Sequence, residues 1–407
     1  MSTTKAVEAS ITSFRHSRQA LRVAYAVHTF DTGGLERCIA HLCNHLDRDR
    51  FEPMVICLNR SGAAADWLVR GDVPIVELHK RGGNDLRVVG RMMKALKNHR
   101  VDIVHSHNWG TLVETSVACQ WTGCRHVHTE HGQGLHAGLG RVRGLARRLV
   151  NRWAFNRAGS VLICAESIRP LVHARTGYGE SQLTFIPNGV DDPLEQRPTV
   201  DTSELRQQLS IPDQAIVVGS VGRLAEVKDF HRAIDAVARL ADRASHLHLV
   251  LVGDGPEKER LLQHAVAQNL ADRVHLVGRQ LNVADWLRLF DVYINCSRSE
   301  AMSLGILEAM GAGLPVVATD VGDNRSLVEG DCDCGAIVAP SSADELASAL
   351  LVLVRDAGRR HELGGHARAR FTRDFSATVM AQRHEQAYET LFDRLSRQGH
   401  SEPKVLA

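Results

Sequence analysis

The segment Ser297-Arg298-Ser299-Glu300-Ala301-Met302-Ser303-Leu304-Gly305-Ile306-Leu307-Glu308 carries two carboxylates with seven residues between them. An apolar run ends at Ser297, and a helical pattern opens near Ser303 and closes at Gly311 or Gly313. Glu300 therefore falls in a loop, and Glu308 on the helix about two turns on. Carboxylates accept hydrogen bonds from paired hydroxyls, so Glu300 suits a sugar ring and Glu308 a ribose. The amides of Met302 to Leu304, with Ser303 at the helix start, point where a phosphate could dock. Either glutamate alone is better explained as a helix charge, complementing the dipole or facing solvent. It is the whole string that points to a site.

Two further loops offer phosphate chemistry. Phe30-Asp31-Thr32-Gly33-Gly34-Leu35-Glu36-Arg37 follows the first apolar run and opens the first helix. Gly33 and Gly34 let backbone N–H groups approach an anion, although a tight turn alone also explains such a pair. Ser220-Val221-Gly222-Arg223-Leu224-Ala225-Glu226-Val227-Lys228 takes the equivalent place in the second half. Arg223 can fork onto a phosphate and Lys228 can serve as a point charge, together a cradle for a diphosphate. The plainer alternative is two solvated surface cations.

In His126-Val127-His128-Thr129-Glu130-His131-Gly132-Gln133, strand alternation puts His126, His128 and Glu130 on one face, with His131 in the loop beyond. These are metal-ligand residue types, but alternation does not specify ring geometry, and no metal is assigned. His105 and His107 close the preceding strand and read as hydrogen-bonded strand-end histidines. No Asp or Glu occurs between His131 and Ala165, where Arg141, Arg143, Arg147, Arg148, Arg152 and Arg157 interleave with Leu145, Leu149, Val150, Trp153 and Phe155. Such a stretch fits an anionic membrane surface or a phosphate-bearing lipid, and equally a solvated helix face packed on a sheet.

These loops need elements to hold them. Short apolar runs at Leu21–Val27, Pro53–Leu58, Pro74–Leu78, Asp102–His107, His126–Glu130 and Ser160–Ala165 read as strands, with helical patterns between them. The alternation pauses at Pro187-Asn188-Gly189-Val190-Asp191-Asp192-Pro193 and restarts with strands at Ala215–Val221, Leu247–Val252, Val274–Val277, Val292–Cys296, Val316–Ala318 and Ala336–Val338. A helix over Ser376 to Leu395 closes the chain. Strands alternating with helices imply an α/β fold of two doubly wound parallel sheets, with ligands at the carboxyl ends of the strands. The length of 407 residues fits two or three domains. The net charge of +2 makes no global case for nucleic acid. Nine cysteines, an odd number set mostly in apolar runs, read as reduced core residues. No apolar run reaches the ~18 residues that span a bilayer, and the polar leader over 1–20 lacks a signal peptide pattern. The expected location is therefore cytoplasmic.

On these residues the chain resembles the family 4 glycosyltransferases of the GT-B fold. The two glutamates with seven residues between them, the Gly222-Arg223 to Lys228 segment, Gly33-Gly34, the turn Ile186-Pro187-Asn188-Gly189-Val190-Asp191 and the loop Val252-Gly253-Asp254-Gly255-Pro256 carry the likeness, in the family's order, over roughly Leu21 to Leu395. Asp31-Thr32-Gly33-Gly34-Leu35-Glu36 and Glu130-His131-Gly132 add a narrower likeness to sugar transferases of bacterial exopolysaccharide systems. The chain departs from the family at Ala301 and Asp323, where many members have Gly, and both departures lie near the implied donor pocket.

The resemblance implies two Rossmann-like domains facing a central cleft. The expected boundaries are an acceptor domain over 21–190 joined by the helix 376–395, a linker over 191–212, and a donor domain over 213–375. It implies retention at the anomeric carbon, with His131 near the reacting carbon, Arg223, Lys228 and Glu300 as catalytic groups, and Gly33, Gly34, Ser303, Leu304, Glu308 and Arg279 around the nucleotide. The base is read largely through backbone near Gly278-Arg279. No cofactor or metal is implied; the donor is a nucleotide-sugar, UDP- or GDP-linked, and the acceptor a glycan or lipid-linked hydroxyl. A peripheral membrane contact through Arg141 to Arg157, at the inner face of the plasma membrane, completes the expectation. An epimerase or hydrolase on the same architecture would need no acceptor. A nicotinamide-dependent dehydrogenase would need a G-x-G-x-x-G turn that neither Gly33-Gly34 nor Gly253–Gly255 completes. A non-catalytic subunit would be expected to lose Glu300, Arg223 or Lys228, and all three are present.

Overall fold

The computed structural model describes residues 20–82, 85–132 and 141–398; residues 1–19 of the polar leader fall outside the described residues. The chain forms two compact units. The first holds the described residues of 20–130, 141–162 and 384–398, and the second those of 131–132 and 163–383.

The strands are β1 (Leu21–Val27), β2 (Phe51–Cys57), β3 (Ile75–Glu77), β4 (Ile103–His107), β5 (Arg125–Glu130), β6 (Ser160–Ile163) and β7 (Leu183–Phe185). They continue with β8 (Ile216–Val221), β9 (Leu247–Val252), β10 (Val274–Leu276), β11 (Val292–Asn295), β12 (Val316–Thr319) and β13 (Gly335–Val338). They build two parallel sheets, ordered β3-β2-β1-β4-β5-β6-β7 and β10-β9-β8-β11-β12-β13. In each the order runs outward one way from the first strand and then resumes on its other side. The switch points therefore lie between β1 and β4 and between β8 and β11, where loops diverge and leave a crevice.

The strands read as apolar runs because helices cover both faces of a parallel sheet. All six residues of β9 are buried, as are Val23 to Val27 of β1. The covering helices are amphipathic at helical spacing: in Phe230–Arg239 the buried residues are Phe230, Ala233, Ile234, Ala236 and Val237. They join Leu247, Leu249 and Leu251 of β9 in one core cluster. A separate cluster in the first unit gathers Ala24, Ile56, Val88, Met92 and Val104.

All nine cysteines are free thiols, seven of them buried. Burial pushes the Cys43, Cys57 and Cys296 thiols up to about 12, which keeps them protonated and unreactive near neutrality.

Candidate functional site

The second unit's site grows out of its switch point. Strands β8 and β11 pair directly, Tyr293 opposite Gly219. The loops that leave them are therefore neighbours, although they lie about seventy residues apart in sequence. After β8 the chain passes Gly222 and Arg223, makes a 3₁₀ turn over Glu226–Lys228 and enters the helix Phe230–Arg239. After β11 it runs through Cys296 to Ser303 and enters the helix Leu304–Gly311. This brings Lys228 Nζ to 2.5 Å from Glu300 Oε1, which also accepts from Ser297 Oγ at 2.7 Å. Both side chains keep a partly exposed tip, so the pair is open to a ligand.

Glu308, in the second turn of the helix Leu304–Gly311, is half-buried. Burial first, then the carboxylates of Glu308 and Glu300, push the Tyr293 phenol well above its usual range. The two glutamates thus converge electrostatically on one tyrosine of β11. Ser303 caps the second helix by position, but its hydroxyl accepts from Asn295 Nδ2 at 3.0 Å and leaves the first-turn amides without a side-chain cap. Ser297 is pinned by Thr319, whose Oγ1 donates to its carbonyl at 2.6 Å. Asn324 Nδ2 donates to the Thr319 carbonyl at 3.0 Å. Asn295, Thr319 and Asn324 are buried polar residues that hold the glutamate loop, and no sequence motif marked them.

Both departures from the family pattern acquire structural partners. The Asp323 carboxylate accepts from the amides of Glu166 and Ser167 at 2.7 and 2.8 Å, capping the turn before the helix Arg169–Thr176. Its own amide donates to the Ala301 carbonyl at 2.8 Å. Gly322, at φ +57, brings its Cα so close to the Glu300 and Ala301 carbonyls that any Cβ would collide with them. Ala301 faces Gly132, at φ +103, where an added Cβ would stand 2.9 Å from the Ala301 methyl. His131 and Gly132 belong to this second unit.

Arg223 is exposed, and among the described residues its guanidinium makes no hydrogen bond or ion pair. Arg279 is also exposed and lines a cavity of about 1020 Å³ beside β10, with His275, Gln280, Leu281, Asp285 and Trp286. None of Arg223, Lys228, Glu300 or Glu308 lines that cavity. In the first unit, Gly33 caps the helix Gly34–His45, and its Cβ position is already taken by the Glu36 carboxylate. Burial pushes the Glu36 carboxyl above its usual range, partly offset by its own amide.

The histidines of β4 and β5 form a buried wall in the first unit. His105 Nδ1 lies 2.7 Å from Tyr388 Oη and its Nε2 2.6 Å from Thr129 Oγ1. Tyr388 donates to Tyr25 Oη at 3.2 Å. Ser106 Oγ lies 2.7 Å from His126 Nε2 and 2.8 Å from His128 Nδ1. His126 and His128 therefore share a face, as alternation requires. His128 Nε2 stands 3.8 Å from Glu130 Oε2. Burial drives the His126 imidazole down to about 3, so it is neutral. Both ring nitrogens of His105 and of His126, and Nδ1 of His128, lie against hydroxyls, and among the described residues no group of three or more His, Cys, Asp or Glu could hold a metal ion.

The basic stretch is a helix, Arg141–Arg157. Arg141 and Arg143 fall where side chains lie outside the described residues. Beyond them Leu149, Val150 and Trp153 are 60, 46 and 36% exposed, and Arg147, Arg148, Arg152 and Arg157 are exposed beside them. Ala154 and Phe155 are buried and anchor the helix. Among the described residues no helix is long and apolar enough to cross a membrane.

Comparison with known proteins bears on the same residues. The model of the glycosyl transferases group 1 matches residues 201–370, and that of glycosyltransferase family 4 matches residues 32–193. A 2-deoxystreptamine glucosyltransferase of Streptomyces kanamyceticus is 27% identical over 61% of this chain, and the match spans 65% of that relative's length. The UDP-Gal:alpha-D-GlcNAc-diphosphoundecaprenol alpha-1,3-galactosyltransferase of Escherichia coli is 27% identical over 79% of this chain and 85% of its own. The structure of Anabaena Alr3699/HepE in complex with UDP-glucose superposes with a TM-score of 0.74 at 22% identity, covering 91% of this chain and 100% of that one. Two family models in tandem and two parallel sheets with their switch points lead to one conclusion: the chain belongs to the family 4 glycosyltransferases and has the GT-B fold.

Proposed function

We propose that this glycosyltransferase moves a sugar from a UDP- or GDP-sugar to a hydroxyl of a glycan or lipid-linked acceptor, with retention of configuration and without a metal ion. The observation that carries the reading is the 2.5 Å approach of Lys228 to Glu300 at the switch point of the second sheet. In this reading Glu300 accepts hydrogen bonds from the donor sugar, while Lys228 faces the diphosphate. As the glycosidic bond to the diphosphate breaks, negative charge grows on the departing phosphate oxygens. Lys228, the exposed Arg223 and the uncapped amides at Ser303 and Leu304 stabilise it. These two cations do the neutralising that a divalent ion does elsewhere. The acceptor hydroxyl bonds to the anomeric carbon on the face the diphosphate leaves, and its proton departs with that diphosphate. His131 borders the sugar, Glu308 the ribose and Arg279 the base.

The names of the relatives support the donor and acceptor classes: one uses UDP-Gal and a diphosphoundecaprenol-linked sugar, and one structural neighbour holds UDP-glucose. A place in exopolysaccharide or cell-surface polysaccharide synthesis follows from that acceptor chemistry. The one-signed helix Arg141–Arg157, with its exposed Leu149, Val150 and Trp153, fits the anionic surface that carries such an acceptor.

The test is a panel of UDP-, GDP-, ADP- and dTDP-sugars, scored by melting temperature and by slow release of free nucleotide, with and without EDTA. A ligand at 100 times its dissociation constant stabilises the fold by ~2.7 kcal/mol. One donor that raises the melt and is hydrolysed in EDTA supports the reading. Activity that needs a divalent ion, or binding of NAD alone, overturns it.

A further inference from the structure

We propose that Asp229 and Arg298 form a clamp that holds Lys228 against Glu300, and that both are positioning residues for the reaction; this rests on the donor reading of that pair. Asp229 follows Lys228 directly and sits at φ 47, ψ 40, a left-handed conformation in a residue other than glycine. Asp tolerates that region better than most residues, and only where the surroundings hold it there. The turn reverses the chain at the lysine and starts the helix Phe230–Arg239, so the backbone at Asp229 decides where the Lys228 side chain emerges.

The Asp229 carboxylate is the part that is held. It is 2% exposed and takes both Nε and Nη2 of Arg298, at 2.9 and 3.1 Å, with Ser341 Oγ at 3.3 Å. It is not spent on capping its own helix. A buried carboxylate persists only when paired, and a two-point guanidinium contact fixes direction as well as charge. The contact is repeated along the backbone. The Arg298 amide donates to the Val227 carbonyl at 2.8 Å, and Cys296 Sγ donates to the Lys228 carbonyl at 3.2 Å. Arg298 Nη1 reaches Glu226 at 3.1 Å. The stretch 296–298 thus touches each of residues 226 to 229, and two positions later it presents Glu300. One short segment grips the lysine's loop and supplies the lysine's partner. Lys228 is a point charge on a flexible stem, so its placement depends on this grip.

The experiment measures turnover of whichever of UDP-glucose, UDP-galactose and GDP-mannose the full chain hydrolyses fastest, for Arg298→Gln, Arg298→Lys, Asp229→Asn, Lys228→Ala and Lys228→Ala/Arg298→Gln. An ångström-scale misplacement of a charge-stabilising group costs on the order of tenfold to a hundredfold in rate. Arg298→Gln should lose that much in kcat while donor KM changes less. Arg298→Lys should recover part of the loss. The double variant should be no slower than Lys228→Ala alone, because the clamp acts through that lysine. A wild-type kcat in Arg298→Gln overturns the clamp, and so does an undiminished further loss in the Lys228→Ala background, which marks a general structural role. If Lys228→Ala itself turns over donor at the wild-type rate, the donor reading fails and the clamp fails with it. Arg298 is partly exposed, so its variants decide the matter even if Asp229→Asn does not fold.

Discussion

Lys228 Nζ stands 2.5 Å from Glu300 Oε1, and the two residues arrive there on loops that leave directly paired strands. The contact is a salt bridge with an open side, so a ligand with both a hydroxyl and a phosphate can insert next to it. Lys228→Ala is expected to lower kcat/KM for the donor by on the order of 100- to 1000-fold, the range for removing one preorganised stabiliser of developing charge. Glu300→Gln should raise donor KM. Steady-state hydrolysis of the donor identified by the panel checks both, and rates within twofold of wild type would refute the assignment.

The Arg223 guanidinium differs from the Lys228 ammonium in having no partner among the described residues. Its removal should cost the fold nothing. Arg223→Ala is expected to weaken UDP or GDP binding by about tenfold, the scale of one charge-assisted hydrogen bond, with an unchanged melting temperature. Arg223→Lys should restore only part of it, because the fork geometry is lost. Calorimetric titration at low and high salt measures this, and the wild-type advantage should shrink as salt rises.

The Asp323 carboxylate caps two amides at once. Asp323→Gly, the residue common in the family, is expected to destabilise the second unit by about 1–3 kcal/mol through two unmet donors. That corresponds to a fall of roughly 2–10 °C in melting temperature for a unit of this size. Asp323→Asn should fall between the two, since the amide oxygen can still accept. A melt unchanged by Asp323→Gly would show that the cap contributes nothing.

His126 is buried with its pKa held down at about 3 by desolvation. In the unfolded chain it titrates near the usual ~6.5. Below that value the unfolded state binds a proton that the folded state refuses, so stability is lost as pH falls from about 6.5 towards 3. Between pH 7 and pH 5 this one group should cost about 2 kcal/mol. Urea unfolding at the two pH values, compared between wild type and His126→Gln, isolates the contribution. An equal pH slope in both proteins would contradict it.

If the helix Arg141–Arg157 meets an anionic surface, both its charges and its exposed apolar residues should count. Vesicles containing phosphatidylglycerol are expected to sediment the wild-type chain and to lose it on reversal of Arg147, Arg148 and Arg152 to Glu, each charge being worth about 1 kcal/mol near the surface. Leu149→Ser with Trp153→Ser should weaken binding at high salt as well. Equal binding to neutral vesicles would argue against the electrostatic part.

Strands were the most legible feature, for a physical reason. Strands buried on both faces appear as uninterrupted apolar runs, and β1 and β9 have the boundaries expected from those runs. Strand β7 gave no such signal, because Leu183 is its one buried residue and Thr184 is exposed. The site divides in the same way. Lys228 and Glu300 were visible because their loops follow strands and open helices. Asp229 and Arg298 were not, because a left-handed φ at a non-glycine and a pairing across 69 residues leave no local pattern. Their nearness to Lys228 and Glu300 in sequence was the available clue. Asp323 stood out as a departure, but its partners lie more than 150 residues away, so the carboxylate's role could not be read from its neighbours.

The hydroxyl of Tyr388 reaches that of Tyr25 across 363 positions. A ribosome making this chain releases β1 well before Tyr388. All that time the histidine wall of the first unit waits for a lid that has not been made, while the second unit's strands, from β8 to β13, are already complete. The first unit is therefore completed only after the strands of the second have been made. A polypeptide cut short before Tyr388 would leave Tyr25 and His105 with an unfilled face, and a nascent chain would need protection at that surface until the helix Ala377–Gln398 emerged.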